Sequence, residues 1–220
     1  MPSVKIPRKS TDFDMTPFVD VAFLILSFFM LATKFKPPEK VPVKTPSSVS
    51  ADKLKEQDAL HVSFDSAGRV FFMMTVLKGE NFGFNREMLE SIDKTKGLGL
   101  TEKEKQTFLQ NPIVGVPFKD LKPYLAGMKI PETGVPVDST NNELADWLLA
   151  GNEVFRAHST GGTVFNPNYM IKGDNGAKYP SFKGVIDAFR KTNIFKFQLI
   201  TNPRGVPPGT DYYKIIHKED

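Results

Sequence analysis

Residues 14–33 read DMTPFVDVAFLILSFFMLAT, an apolar run that contains one carboxylate in its interior, Asp20. As an α-helix, the segment 15–33 rises about 28 Å, which matches the hydrocarbon thickness of a bilayer. Pro17 suits the first turn of such a helix, because its missing N–H is not needed there and its fixed φ is helical. The sequence therefore predicts a transmembrane helix, which we assign to 15–35.

Asp20 lies about one turn inside the predicted helix. An acid at membrane depth costs about 3 kcal/mol or more and is rare there without a function. Thr16, four residues before Asp20, and Ser27 and Lys34 after it have helical spacing and fall close to the face of Asp20, while apolar side chains fill the rest of the circumference. A lone helix of this kind cannot conduct protons, so the polar face implies a partner made of other membrane helices. Thr16 and Ser27 are candidates to face that partner's pore; bonding of both hydroxyls to the helix backbone is the alternative.

Two simpler interpretations of this segment stay open. In the first, the helix is only a signal anchor, and the Asp20 side chain reaches up to the headgroups. In the second, residues 21–32 are the h-region of a cleaved signal peptide, preceded by a basic n-region at 5–9. The acids and the proline before the apolar run, together with a poor small-residue site at 30–32, argue against cleavage.

The residues around Asp20 also carry a family resemblance. The run at 14–24, DMTPFVDVAFL, followed by FFM at 28–30, resembles the Asp-Met-Thr-Pro-x-x-Asp-Val-x-Phe-Leu signature of the ExbD/TolR family. Residues 171–174, IKGD, are similar to a motif in the folded domain of that family. The resemblance implies a subunit of a proton-driven inner-membrane motor, in which Asp20 is the acid that carries protons.

The same resemblance implies a topology and a set of partners. The protein would be a single-pass protein of the inner (cell) membrane, with a cytoplasmic N-terminus at 1–14 and a periplasmic C-terminal domain. Its implied partners are a multi-span membrane protein of the ExbB/TolQ type, a TonB- or TolA-like energy transducer, and a second copy of the chain in a dimer. Basic residues lie on both sides of the apolar run and do not decide its orientation in the membrane. The orientation therefore rests on the resemblance.

The character of the chain changes after the apolar run. Residues 36–58 contain four prolines, followed by a serine cluster and a charged run. Such a segment buries too little apolar surface to offset its ordering entropy, and its prolines favour extended conformations. We therefore predict a flexible periplasmic linker at 36–58.

Residues 59–220 predict one folded α+β domain with helices on a mixed β-sheet. Two β-prone runs, 61–64 and 69–73, are joined by the turn cluster DSAG and predict a hairpin. Near the other end the pattern predicts a βαβ unit, with a strand at 168–174, a helix at 179–192 and a strand at 194–201. A further helix at 141–150 is predicted to pair with the helix of this unit, because the resemblance implies a helix pair on one face of the sheet.

Residues 79–138 depart from the compact form that the resemblance implies, and we interpret them as a helical insertion. Two or three helices fit: one after Asn85, one opened by the capping box Thr101-x-x-Glu104, and one over 118–128. The insertion either elaborates the fold or changes the surface that partners contact, and the sequence leaves both open.

Enzyme chemistry is not indicated. The chain has no cysteine, which excludes the common structural zinc sites, and its three histidines, His61, His158 and His217, are far apart in sequence. We predict no catalytic residue, no metal and no cofactor, and we interpret Asp65 and Asp174 as turn residues. The net charge is +4, and bases alternate with acids in segments such as 101–105, a pattern that argues against nucleic-acid binding.

The sequence thus favours a subunit of an inner-membrane proton-channel motor. Such a subunit uses the proton motive force to energise a TonB- or TolA-like partner for outer-membrane transport or envelope integrity. The alternative is a membrane-tethered envelope-binding or scaffold module without proton transport. The motor is preferred because a pure tether has no need of Asp20 within the apolar run.

Overall fold

The structure is a computed structural model, and it describes residues 14–32, 41–49, 58–76, 81–158, 167–209 and 213. Its chain divides into two compact units, Met1–Lys40 and Val41–Asp220. His217 and nearly all of the predicted cytoplasmic N-terminus lie outside the described residues.

The first unit contains the helix α1, Thr16–Ala32. Asp14 stabilises the N-terminus of this helix, because its carboxylate accepts hydrogen bonds from the Thr16 hydroxyl and, at 3.0 Å, from the Thr16 backbone N–H. The large apolar side chains of α1 are exposed around its circumference. Across the described ranges, no helix combines the length and the apolar character that crossing a membrane requires. The transmembrane helix expected at 15–35 therefore stays a prediction.

The second unit contains strands and helices in mixed order. In chain order they are β1 (Ser47–Ser48), β2 (Ala59–Phe64), β3 (Val70–Thr75), α2 (Asn81–Lys96), α3 (Glu102–Gln110), β4 (Ile113–Val114), α4 (Phe118–Leu125), α5 (Glu143–Ala157), β5 (Asn168–Gly173), α6 (Tyr179–Lys191), β6 (Gln198–Leu199) and β7 (Asn202–Pro203).

A mixed five-stranded sheet forms the centre of this unit, with the strand order β4-β3-β2-β5-β6. β2 runs antiparallel to β3, with Ala59 opposite Thr75, and parallel to β5, with Ala59 opposite Asn168. The predicted hairpin is confirmed, and its turn is closed by the Asp65 carboxylate, which accepts the Arg69 backbone N–H at 2.9 Å. The predicted βαβ unit is confirmed as well, since β5 and β6 are parallel and α6 connects them. The fold is α+β with a mixed sheet.

The helices α5 and α6 pack on each other and on one face of the sheet. Leu60 and Val62 share a face of β2, because side chains alternate along a strand, and both are fully buried. Gly151 of α5 lies so close to β2 that an added Cβ would come within 2.9 Å of the Leu60 side chain. The helix pair expected from the family resemblance therefore covers this face.

The helices predicted in the insertion are observed as α2, α3 and α4. The capping box at α3 is confirmed: the Glu104 N–H donates to the Thr101 hydroxyl at 3.4 Å, and the Thr101 N–H donates to the Glu104 carboxylate at 2.7 Å. α2 packs along α5, and α3 packs between α2 and α4. The insertion is thus built onto the helix layer of the domain.

Trp147 of α5 joins the insertion to the sheet. Its fully buried ring contacts Phe72 of β3, Phe108 of α3 and Phe118 of α4, with ring centroids 5.9, 6.4 and 5.4 Å away. The buried carboxylate of Glu143 accepts the Phe118 backbone N–H at 2.7 Å, which fixes the start of α4 against α5. Insertion and sheet consequently share one hydrophobic core.

α5 extends seven residues beyond the helix predicted at 141–150, and two further segments differ from the expectation. The strand predicted at 194–201 is wrong in length, because only Gln198–Leu199 forms β6. Asn193 has a φ of 56°, and the Ile194 N–H still donates to Phe189 at 2.9 Å, so the chain is closing α6 at that point.

The second difference falls within the predicted flexible linker. Its described part, 41–49, is extended, and β1 pairs in parallel with β7, with Ser47 opposite Asn202. The Asn202 N–H also donates to the Pro46 carbonyl at 2.9 Å. This part of the range is therefore attached to the domain.

Candidate functional site

Asp20 lies on the surface of α1 and is exposed. With 100° of rotation per residue, Thr16, Asp20 and Ser27 fall within about 40° of one another on the helix, so the three polar side chains share a face. Asp20 is the only titratable group within α1. Any proton chemistry on this helix consequently belongs to its carboxyl group.

The two hydroxyl groups on this face are engaged locally. Ser27 Oγ donates to the Leu24 carbonyl at 2.9 Å, one turn earlier in the same helix. The Thr16 hydroxyl donates to Asp14, and this hydrogen bond, followed by the one from the Thr16 N–H, lowers the pKa of Asp14. The face therefore offers one proton-binding group, flanked by hydroxyls whose protons are already donated.

The second unit carries a cleft of about 420 Å³ at the end of β5. Its walls are the turn after β5, the start of α6, the edge strand β6, and Pro46 of the segment that precedes β1. Aromatic and aliphatic side chains dominate the lining, and Phe64 and Phe182 contact each other there with ring centroids 6.2 Å apart. The cleft is thus an apolar groove beside an open sheet edge.

Asp174 is the charged residue of this cleft. Its carboxylate accepts the Gly176 N–H at 2.8 Å and the Lys44 N–H at 2.9 Å. These hydrogen bonds, with the one from Gly176 the larger cause, lower the pKa of Asp174. The interpretation of Asp174 as a turn residue is confirmed, and its contact with Lys44 is an addition that local sequence signals did not reveal.

The IKGD motif is explained by its position at the cleft. Ile171 is buried in the sheet, and Gly173 faces the ring of Phe64, where an added Cβ would lie 2.5 Å from the ring. Only glycine fits there without moving the aromatic side chain. The motif therefore shapes the cleft through packing. It was also the one sequence signal at the position of the cleft.

Exposed apolar side chains surround the cleft on its open side. Tyr179 at the start of α6 is 71% exposed, and Leu199 of β6 is exposed as well. β6 is one of the two edge strands of the sheet, the other being β4. Since sheet edges accept extended peptides as added strands, this surface is suited to hold a polypeptide segment.

The two described histidines lie in separate elements. His61 lies on β2, and His158 follows α5, where its Nε2 lies 2.7 Å from the Glu87 carboxylate and its ring stacks on Phe84 at 4.2 Å. Within the described part of the chain, no three His, Asp or Glu residues are arranged to hold a metal ion.

Comparison with known proteins identifies the family. The family model for the biopolymer transport protein ExbD/TolR matches residues 7–204, a span that includes every helix and strand from α1 to β7. A search of curated proteins found no match, and a search of solved structures found none either. The match covers nearly the whole chain and includes both the Asp20 motif and the IKGD motif. The chain therefore belongs to the ExbD/TolR family of biopolymer transport proteins.

Proposed function

We propose that this ExbD/TolR protein is the proton-carrying, single-span subunit of an inner-membrane motor that energises a TonB- or TolA-like partner. Family membership assigns it to the energy-transducing subunits of biopolymer transport. The single observation that carries the finer proposal is Asp20, one carboxyl group on a helix whose other large side chains are apolar.

The surface of α1 supports a position in the bilayer. Its large apolar side chains, from Phe18 to Leu31, are exposed. Their removal from water is worth on the order of 10–20 kcal/mol, whereas one acid at membrane depth costs about 3 kcal/mol. Apolar burial outweighs the cost of Asp20, and pairing of Asp20 with polar groups in a multi-span ExbB/TolQ-like partner lowers that cost further.

In this position Asp20 alternates between a neutral and a charged form. The neutral acid tolerates an apolar wall of the pore, and the carboxylate is stable only against polar groups or water. Protonation therefore changes which orientation of α1 is the more stable one. Each proton that moves down about 150 mV releases about 3.5 kcal/mol, enough to bias one such step.

The cleft at β5, α6 and β6 supports the proposed binding of a TonB- or TolA-like partner. An extended segment of the TonB- or TolA-like partner adds to the open edge of β6 and places apolar side chains in the groove. Main-chain hydrogen bonds to the edge supply affinity, and the ring of Phe182 selects side chains. A dimer of the chain, with its C-terminal domain in the periplasm, completes the arrangement.

Substitution of Asp20 tests the motor. Asn is nearly isosteric with Asp and cannot cycle a proton, so Asp20→Asn should insert and co-purify with the multi-span partner but abolish proton flux and uptake in cells. Asp14→Asn is the matched control, because it removes the neighbouring acid while Asn still caps a helix well. This control should retain activity.

Asp20→Glu keeps the titratable group but moves it by one methylene, and we expect partial activity at best, since misplaced relay groups lose efficiency. If Asp20→Asn assembles and transports at the wild-type level, Asp20 carries no proton. The tethered scaffold is then the better description.

A further inference from the structure

The net positive charge of the second unit lies in one part of the chain. Residues 167–209, which contain β5, α6, β6 and β7, have seven Lys or Arg and two Asp, a net charge of +5. Residues 81–138, the region of α2, α3 and α4, have eight basic and eight acidic residues and no net charge. The segment that contains β5, α6, β6 and β7 is thus strongly cationic, whereas the insertion is neutral.

Several cations of the insertion, though not Lys103 or Lys119, are held in ion pairs among the described residues. In the insertion, Arg86 pairs with Glu90 at 2.9 Å and Lys96 pairs with Asp146 at 2.8 Å. Among the described residues, Lys183, Arg190 and Lys196 have no ion-pair partner, and all three are exposed. Their charges are available to an external anion.

Helical geometry places Lys183 and Arg190 on the same side of α6 as Tyr179. These three residues fall within about 40° of one another around the helix axis, and the exposed Phe195 and Lys196 come four and five residues after its end. The only acid on α6 is Asp187, which is half-buried. Exposed aromatic rings at both ends of a basic helix face are typical of surfaces that lie on a membrane, where rings enter the headgroup layer and cations bind phosphates.

We propose that the face formed by Tyr179, Lys183, Arg190, Phe195 and Lys196 binds the anionic phospholipid headgroups of the membrane that holds the chain. The inference rests on the proposed membrane position of α1. Residues 33–40 separate α1 from the described start of the second unit, and nine residue steps span at most about 30 Å. So short a connection keeps the face at a high effective concentration near the bilayer.

Lysine footprinting of the full chain in nanodiscs tests this face. The chain is incorporated into discs of phosphatidylcholine alone or with 30% phosphatidylglycerol, and acetylation of each lysine is followed by mass spectrometry. Each cation near an anionic surface favours binding about fivefold, so Lys183 and Lys196 should react at least threefold more slowly in the anionic discs. The exposed Lys103 and Lys119 of the insertion should react equally in both, and 0.5 M NaCl should remove the difference.

Charge reversal provides the matched variants. Lys183→Glu combined with Arg190→Glu should abolish the protection of Lys196, whereas Lys103→Glu combined with Lys119→Glu should leave it intact. Equal acetylation of Lys196 in the two kinds of disc, or protection that arises only when the energy-transducing partner is added, overturns the proposal. A chain that fails to enter the discs at all contradicts the membrane position of α1 instead, so the two failures are distinguishable.

Discussion

The backbone N–H of Lys44 donates a 2.9 Å hydrogen bond to the carboxylate of Asp174, 130 residues further along the chain. The Asn175 N–H returns a second hydrogen bond to the Lys44 carbonyl at 2.8 Å. Lys44 is thus held from both sides by the turn after β5. Because Pro46 lines the cleft two residues later, this attachment also closes one wall of the candidate partner site.

Asp174→Asn should loosen the segment 41–48 without unfolding the domain. Asn keeps one oxygen for Gly176 but loses the charge and the second acceptor that serves Lys44. We expect backbone amide exchange at Lys44 to accelerate on the order of threefold, a modest effect because the contact is solvent-exposed. Asp187→Asn, which removes another acid from the same end of the fold, is the control and should leave this exchange unchanged.

The same contact should depend on pH in a defined direction. The pKa of Asp174 is lowered in the folded state, so its stabilising contribution is present above the ordinary carboxyl pKa and disappears as the pH falls through the lowered value. Exchange at Lys44, corrected for its intrinsic pH dependence, should therefore accelerate on acidification. An equal acceleration in Asp174→Asn would show that another group is responsible.

Trp147 should be the most sensitive core position of the domain. Trp147→Ala removes a fully buried ring that contacts Phe72, Phe108 and Phe118, and such truncations cost about 3–5 kcal/mol of unfolding free energy. Urea denaturation of the detergent-solubilised chain measures the loss. Leu149→Ala, at an exposed position of the same helix, should change the value by less than about 0.5 kcal/mol. Similar losses for both would mean that the insertion does not share the core.

Two glycines offer a paired test of packing. A Cβ at Gly184 of α6 would lie 2.3 Å from the Val137 carbonyl, so Gly184→Ala should destabilise the domain by about 1–3 kcal/mol. At Gly83 of α2 an added Cβ would meet no atom within 4 Å, and Ala favours helix by up to about 1 kcal/mol. Gly83→Ala should therefore be neutral or stabilising in the same denaturation assay. The reverse order of stabilities would contradict the close approach of α6 to Val137.

Local signals in the sequence predicted much of the fold. The turn at Asp65 and the capping box at Thr101 act over three or four residues, and both are present as predicted. β1 and β7 have two residues each and pair across about 155 positions, so no periodic pattern can reveal them. The Trp147 cluster likewise depends on rings from four separate elements. At the candidate site, sequence identified Asp20 and the IKGD motif, whereas the cleft required the tertiary structure.

A Ser27 substitution distinguishes two versions of the proton path that we propose on α1. Its hydroxyl donates to the Leu24 carbonyl at 2.9 Å, which already satisfies its one O–H within the helix. Ser27→Ala should therefore retain proton flux within about twofold of wild type and assemble normally with the multi-span partner. Asp20→Asn in the same flux assay provides the inactive reference, and Ser27→Thr, which keeps the hydroxyl, controls for packing. A loss of flux in Ser27→Ala that Ser27→Thr does not share would place the Ser27 hydroxyl in the proton path and would mean that the Leu24 bond breaks during the cycle.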